Sequence, residues 1–140
     1  MAGMEGLGRI IDVVPIAAGV GISMRDCSAI TYICTGADTF TLTMSATFAG
    51  SYTTPGNVFN HYYQAAATNG TAAWTKQTQS ASNAVVQASA YTTAITLLSG
   101  MIPDPQMYAK LTASASGLVT AILHDLVVQR KPANLPIRSA

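Results

Sequence analysis

DTFTLTMSATF, residues 38–48, alternates without a miss. Phe40, Leu42, Met44, Ala46 and Phe48 take every second place, and Thr39, Thr41, Thr43, Ser45 and Thr47 take the places between. Successive side chains of a strand point to opposite faces, so a period of two marks a half-buried β-strand. The stretch predicts a strand with Phe40, Leu42, Met44 and Phe48 in the core. Its other face carries hydroxyls only, where a strand on a soluble monomer ordinarily shows some Lys or Glu. Thr is a good strand former in its own right. A face without charge also suits contact with another protein surface, because burying a charge carries a large desolvation cost.

The shortage of charge extends outward from this strand. The chain of 140 residues is 49% apolar and 9% charged, against about 25% charged in ordinary globular domains. From Thr39 to Pro103 the only formally charged side chain is Lys76. The net charge is +1, a regime in which isolated proteins tend to associate. Disordered chains are rich in charge and poor in branched residues, which excludes that class. The length fits one domain able to bury a core without a metal or disulfide. These features point to a subunit whose surface is occluded in an assembly.

The rest of the chain reads as further strands. Segments 10–17, 19–25 and 28–35 precede the opening stretch, and Pro15 puts the first of them at a sheet edge or bulge. In 28–35, Ile30, Tyr32 and Cys34 share one face. After a turn-rich loop at 50–57, segments 59–67 and 72–78 flank Asn69-Gly70, a two-residue hairpin signal. Segments 84–88, 90–98, 107–115 and 118–128 follow, joined by SASN, SG, IPDP and SASG, all turn chemistry. Residues 81–98 carry apolar spacings that a helix could also use, but their Val, Tyr, Thr and Ile content favours strand. About nine short strands without a long helix predict an all-β fold, an antiparallel β-sandwich or barrel of jelly-roll-like kind. Residues 1–9 read as an N-terminal arm, 10–129 as the sandwich domain and 130–140 as an extended C-terminal arm. In that last segment Pro132 and Pro136 oppose a regular ladder. Arg130, Lys131 and Arg138 have no acid among them, and Leu135 and Ile137 are apolar residues that would profit from a groove. Arg130, Lys131, Leu135, Ile137 and Arg138 are therefore candidate partner contacts, with Thr41 and Thr43 of the opening strand.

Catalytic chemistry is not legible. No GxSxG, HExxH, CxxC or P-loop pattern occurs. His124 and Asp125 are adjacent, and neighbours on a strand point to opposite faces, so they cannot act on one substrate together. The aspartates lie in separate segments without calcium-loop spacing. No catalytic residue, cofactor or metal site is expected, and the chain reads as no enzyme. Cys27 and Cys34 would lie about 23 Å apart on an extended segment, beyond disulfide reach, and are expected as free, buried thiols. Residues 13–22 are too short and too broken by Pro and Gly to span a bilayer, and the opening residues lack the layout of a signal peptide. Asn69-Gly70-Thr71 reads as a turn rather than a glycan acceptor. Seven scattered basic residues form no patch for nucleic acid. Tyr62, Tyr63 and Trp74 flank the predicted hairpin and could stack a sugar if they share an exposed surface. They would otherwise serve as core or interface anchors.

AWTKQTQ (73–79) and MYAKLTASASGLVTAILHDLVVQRKPANLP (107–136) resemble a family of small virion structural proteins of tailed bacteriophages, of the kind that decorate or cement a capsid. The resemblance implies a β-sandwich or barrel body and a homo-oligomer, a trimer favoured. It also implies arms lying on the major capsid protein, and a place on the capsid surface after synthesis in the host cytoplasm. It carries no catalytic residues. A tail or connector component of the virion, and a carbohydrate-binding or adhesin-like module, are the alternative expectations.

Overall fold

The computed structural model describes residues 12–17, 19–124, 126 and 138. Ten strands follow one another: β1 (Asp12–Ala17), β2 (Ile22–Ser23), β3 (Ala29–Thr35), β4 (Asp38–Ser45), β5 (Phe59–Ala65), β6 (Trp74–Ser82), β7 (Ala84–Gln87), β8 (Thr92–Leu98), β9 (Tyr108–Ala113) and β10 (Leu118–His124). A single 3₁₀ turn, Ser99–Met101, is the only helical element among the described residues. The strands form an antiparallel six-stranded sheet, β1-β10-β3-β8-β5-β6, and an antiparallel four-stranded sheet, β2-β9-β4-β7. The two pack face to face as a sandwich and do not close into a barrel.

The pairing is nested. β1 pairs with β10, β2 with β9, β3 with β8, β4 with β7 and β5 with β6. The chain is thus one long hairpin rolled over on itself, with the β5–β6 turn at its tip. Set that tip aside, and β1-β10-β3-β8 faces β2-β9-β4-β7, the strand order of an eight-stranded jelly roll. Every connection except β5 to β6 crosses from one sheet to the other.

Alternation builds the core. Ile30, Tyr32 and Cys34 of β3 face Phe40, Leu42 and Met44 of β4 across the sandwich, all fully buried. Leu111, Ile95 and Leu123 fill the same layer from β9, β8 and β10. Phe48 does not join them. β4 ends at Ser45, whose Oγ accepts the Thr47 backbone N–H at 3.3 Å, and Phe48 lies in the following turn, 40% exposed, its ring 6.1 Å from that of Tyr108. The turn ends the alternation before its last member. The segment expected at 19–25 shrinks to Ile22–Ser23, between Gly19 at φ 91° and Asp26 at φ 60°. Both residues turn the backbone out of the extended region. Pro15 lies on the sheet edge beside a register shift, as its chemistry requires. The Asn69-Gly70 hairpin exists, but its register, Ala65 opposite Trp74, leaves an eight-residue connection, 66–73, instead of two residues. Asn69 Oδ1 accepts the Thr71 N–H at 3.2 Å and its hydroxyl at 2.6 Å, which closes a local turn within that longer loop.

Candidate functional site

The described candidate residues of the body fall on two surfaces, and a third was expected on the arm. Thr41 and Thr43 lie half-buried on the outer face of the four-stranded sheet. Thr41 is opposite Thr112 on β9 and Ala84 on β7, and Thr43 is opposite Lys110. The hydroxyl face therefore has a cation at one end. The Lys110 ammonium stands 4.7 Å from the centre of the Tyr52 ring, an arrangement in which the ring's negative face holds the charge. Strand alternation located the face; Lys110 reached it from β9, far away in sequence.

The second surface is the outer face of the six-stranded sheet. Register places Tyr63 beside Ala94, Ala94 beside Ile33, and Ile33 beside Thr120. One row over lie Trp74, Ala65, Thr92, Thr35 and Leu118. Trp74 is 52% and Tyr63 45% exposed, and Val13, Leu98 and Leu118 are exposed with them. Tyr62 points to the opposite face and packs on the core, so the three aromatic residues do not form one platform. His61 meets Tyr63 edge-on, with ring centres 6.2 Å apart. At the other end of this face, His124 Nε2 and Thr31 Oγ1 are 3.0 Å apart, and Thr31 Oγ1 and Thr96 Oγ1 are 3.1 Å apart. His124 is thus one member of a hydroxyl row. Asp125 lies outside the described residues.

The third surface was expected on the arm. Arg130, Lys131, Leu135 and Ile137 lie outside the described residues. Arg138 is described, is 4% exposed and packs against its own domain. Its guanidinium donates to the Arg25 carbonyl and stands 3.7 Å from the Asp12 carboxylate. Its carbonyl accepts the Ser23 N–H at 2.7 Å. The partner of this cation sits on β1, at the opposite end of the chain, so no local reading of residues 130–140 could supply it.

Two buried polar centres were also not legible. Gln87, almost fully buried, donates through Nε2 to the carbonyls of Gly36 and of Tyr91 (2.8 Å), and accepts the Thr93 hydroxyl. Gln64 Nε2 reaches the same hydroxyl at 3.3 Å, tying β5 to the roll. Asp38 binds the β9–β10 turn. It accepts N–H groups from Thr39 (2.7 Å), Ser114 (2.8 Å), Ala115 (3.0 Å) and Gly117 (2.7 Å), and the Ser114 hydroxyl. Burial works to raise its pKa. The hydrogen bonds outweigh it and hold the carboxyl well below the usual carboxylate range. A Cβ on Gly117 would come within 2.8 Å of that carboxylate, so only glycine fits there.

Cys27 and Cys34 are free and buried. Burial pushes the Cys34 thiol up to about 12, which keeps it a poor nucleophile. An open pocket of about 160 Å³ lies at one end of the sandwich, between Arg25, Asp104, Gln106 and the side chains of Met24 and Ile102. Ser99 is its only hydroxyl, and neither His nor Cys lines it. Among the described residues no group of three or more His, Cys, Asp or Glu could hold a metal ion, and no helix is long and apolar enough to cross a membrane. No protein-family model matches the chain, and searches of curated proteins and of solved structures return no match.

Proposed function

We propose that the protein is a non-enzymatic structural subunit of a phage particle, a decoration or cement protein that binds the major capsid protein as a homo-oligomer and stabilises the head. The observation that carries this reading is a jelly roll whose exposed faces are apolar or hydroxyl-bearing and almost free of charge. Double-sheet jelly rolls recur in viral coat proteins and in lectins; that is a likeness of architecture, and the surface supplies the rest of the argument. Val13, Leu98, Leu118, Tyr63 and Trp74 exposed on one sheet face are what an interacting surface carries. The test is co-sedimentation of the purified protein with phage heads. Saturable binding at a fixed number of copies per shell, with shells that survive heating better, is expected. Absence of binding to the heads of the phage that encodes it overturns the reading.

The sandwich also resembles a lectin in architecture, and exposure of both Trp74 and Tyr63 on one face favours glycan binding as the second reading. Trp74 is the only tryptophan, so its fluorescence reports directly. A saturable change on addition of oligosaccharides supports that reading, and an unchanged spectrum across a glycan panel excludes it.

A further inference from the structure

Asn69 is the only asparagine of the chain that precedes a glycine; Asn57, Asn60, Asn83 and Asn134 precede Val58, His61, Ala84 and Leu135. Glycine has no Cβ, so the peptide nitrogen after Asn69 is unshielded. Residues 68–71 are all exposed, and they lie beyond the last ladder pair of the tip, Ala65 with Trp74. Gly70 holds φ 77°, and a Cβ there would meet nothing within 4 Å. Its N–H makes no hydrogen bond to any described residue. Asn69 Oδ1, by contrast, accepts both the Thr71 N–H at 3.2 Å and the Thr71 hydroxyl at 2.6 Å. The ring closed by the first of these bonds folds the carboxamide back along the Asn69–Gly70 peptide, and Asn69 Cγ and the Gly70 nitrogen are both members of it. Asn83 is held in the contrary way. Its amide donates to the Leu42 carbonyl at 3.2 Å, and the N–H that follows it, on Ala84, donates to Ser82 Oγ at 3.1 Å.

We infer that Asn69 is a self-modifying site: the Gly70 nitrogen closes on the Asn69 carboxamide, Thr71 assists the closure, and water converts the product to a carboxylate. Hydroxide removes the Gly70 amide proton, and the nitrogen attacks Cγ. The new N–Cγ bond closes a five-membered imide, the Cγ–Nδ2 bond breaks, and Nδ2 leaves as ammonia after taking a proton from water. A second water then opens the imide. Attack at Cγ gives an aspartyl residue; attack at the former Asn69 backbone carbonyl gives an isoaspartyl linkage, which adds one atom to the main chain. No electrons are exchanged. Intramolecular placement of the two reacting groups supplies the entropic advantage. In the tetrahedral intermediate the negative charge develops on Oδ1, where the Thr71 N–H and hydroxyl already point, as donors to an oxyanion do. The fold tolerates the product because the loop takes no part in the ladder. The surface does change. The formal net charge falls from +1 to zero, and a carboxylate enters a stretch, 39–103, whose only other charge is Lys76. It enters beside the exposed Trp74, so aged protein differs from new protein at the aromatic end of the larger sheet, whatever its partner.

The test incubates the whole protein in mildly alkaline buffer and follows the peptide that contains Asn69 by mass and by enzymatic methylation of isoaspartyl groups. Conversion at Asn69 well ahead of Asn57, Asn60 and Asn83 is expected, faster as pH rises, with both isoaspartyl and aspartyl products. Gly70→Ala should slow it severalfold by shielding the nitrogen. Thr71→Val removes the hydroxyl donor and should slow it roughly two- to tenfold, less than the loss of a donor in a dry active site because water replaces it here. Thr71→Ser should restore the parent rate. A free peptide of residues 64–76 should respond more weakly to Thr71→Val, since it holds the turn for only part of the time. The substitutions lie in an exposed loop, and unchanged melting temperatures confirm that each variant is folded. An Asn69 that stays intact in the folded protein, or a product that is aspartyl alone, overturns the inference. So does a rate that Thr71→Val leaves unchanged or raises, or an equal slowing in peptide and protein.

Discussion

Asp38 illustrates how much one side chain can hold. Four backbone N–H groups and one hydroxyl converge on its carboxylate, and three of those N–H groups belong to the turn that joins β9 to β10. Hydrogen bonds to a charged group contribute about 1.5–3 kcal/mol each in favourable cases and are not additive. Asp38→Asn keeps the size but loses the charge and turns one acceptor into a donor. It should lower stability by roughly 2–3 kcal/mol at neutral pH, measured by urea unfolding. The pH dependence has a definite sign. The folded carboxyl ionises at a lower pH than the unfolded one, whose pKa is about 4. The stabilisation is therefore complete above that value and is lost as pH falls through the folded pKa. Asp38→Asn should flatten the acid limb of the stability curve and leave the alkaline limb unchanged. None of this is readable from the sequence, where Asp38 is merely the residue before an alternating strand. Its donors in the β9–β10 turn arrive 76 to 79 residues later, and a pattern reading sees only neighbours. Phe48 fails for the opposite reason. A period of two tells which face a residue takes but not where the strand stops, and the stop is set by a Ser45 side chain bonding two residues ahead.

At the scale of elements, the two threonines chosen from β4 separate into different cases. Thr41 faces Thr112 and Ala84, both small and neutral, whereas Thr43 faces Lys110. Thr41→Lys should leave stability within about 0.5 kcal/mol of the parent, since neither cross-strand neighbour repels it. Thr43→Lys puts like charges directly opposite and should cost up to about 1 kcal/mol more. If the hydroxyl face is an assembly contact, Thr41→Lys should still impair assembly, because the new ammonium would be buried there. Thermal unfolding and native mass together read both effects; normal assembly of Thr41→Lys means that the face is solvated. The strands themselves were largely legible, since Val, Ile, Thr and Tyr in alternation specify strand whatever their partners are. The hairpin at Asn69-Gly70 was found as well, and it proves to be the tip about which all the pairing nests. The exposure of β6 on both faces was hidden, because its sequence says nothing about whether a second sheet extends beneath it. Trp74 and Tyr63 could be nominated as an aromatic pair, but Tyr62 could not be excluded from it until the register of β5 was fixed.

At the scale of the molecule, nested pairing has a mechanical consequence. A chain folded as one long hairpin brings its two ends together, so β1 lies beside β10 and the last contact must be made between terminal segments. Arg138 makes that contact. It bonds the Arg25 carbonyl after β2, approaches the Asp12 carboxylate on β1, and offers its own carbonyl to Ser23. It thereby spans both sheets, since β1 belongs to the larger and β2 to the smaller. The charge pair is almost entirely out of water, and removing one partner of such a pair typically costs 3–5 kcal/mol. A chain cut after Gln129 should accordingly unfold well below the parent, by roughly 10 °C for a domain of this size. It should also show faster amide exchange in β1 and β2 than in β4. Arg138→Met keeps much of the apolar stem and the Ser23 bond while deleting the charge, so its loss should be smaller than that of the truncation. Residues 130–140 were expected to be an arm with little part in the stability of their own domain. A truncated protein that melts with the parent would bear that expectation out and leave Arg138 a passive passenger. A large loss places the closing contact of the roll in a residue that the sequence offered as a candidate contact with a partner.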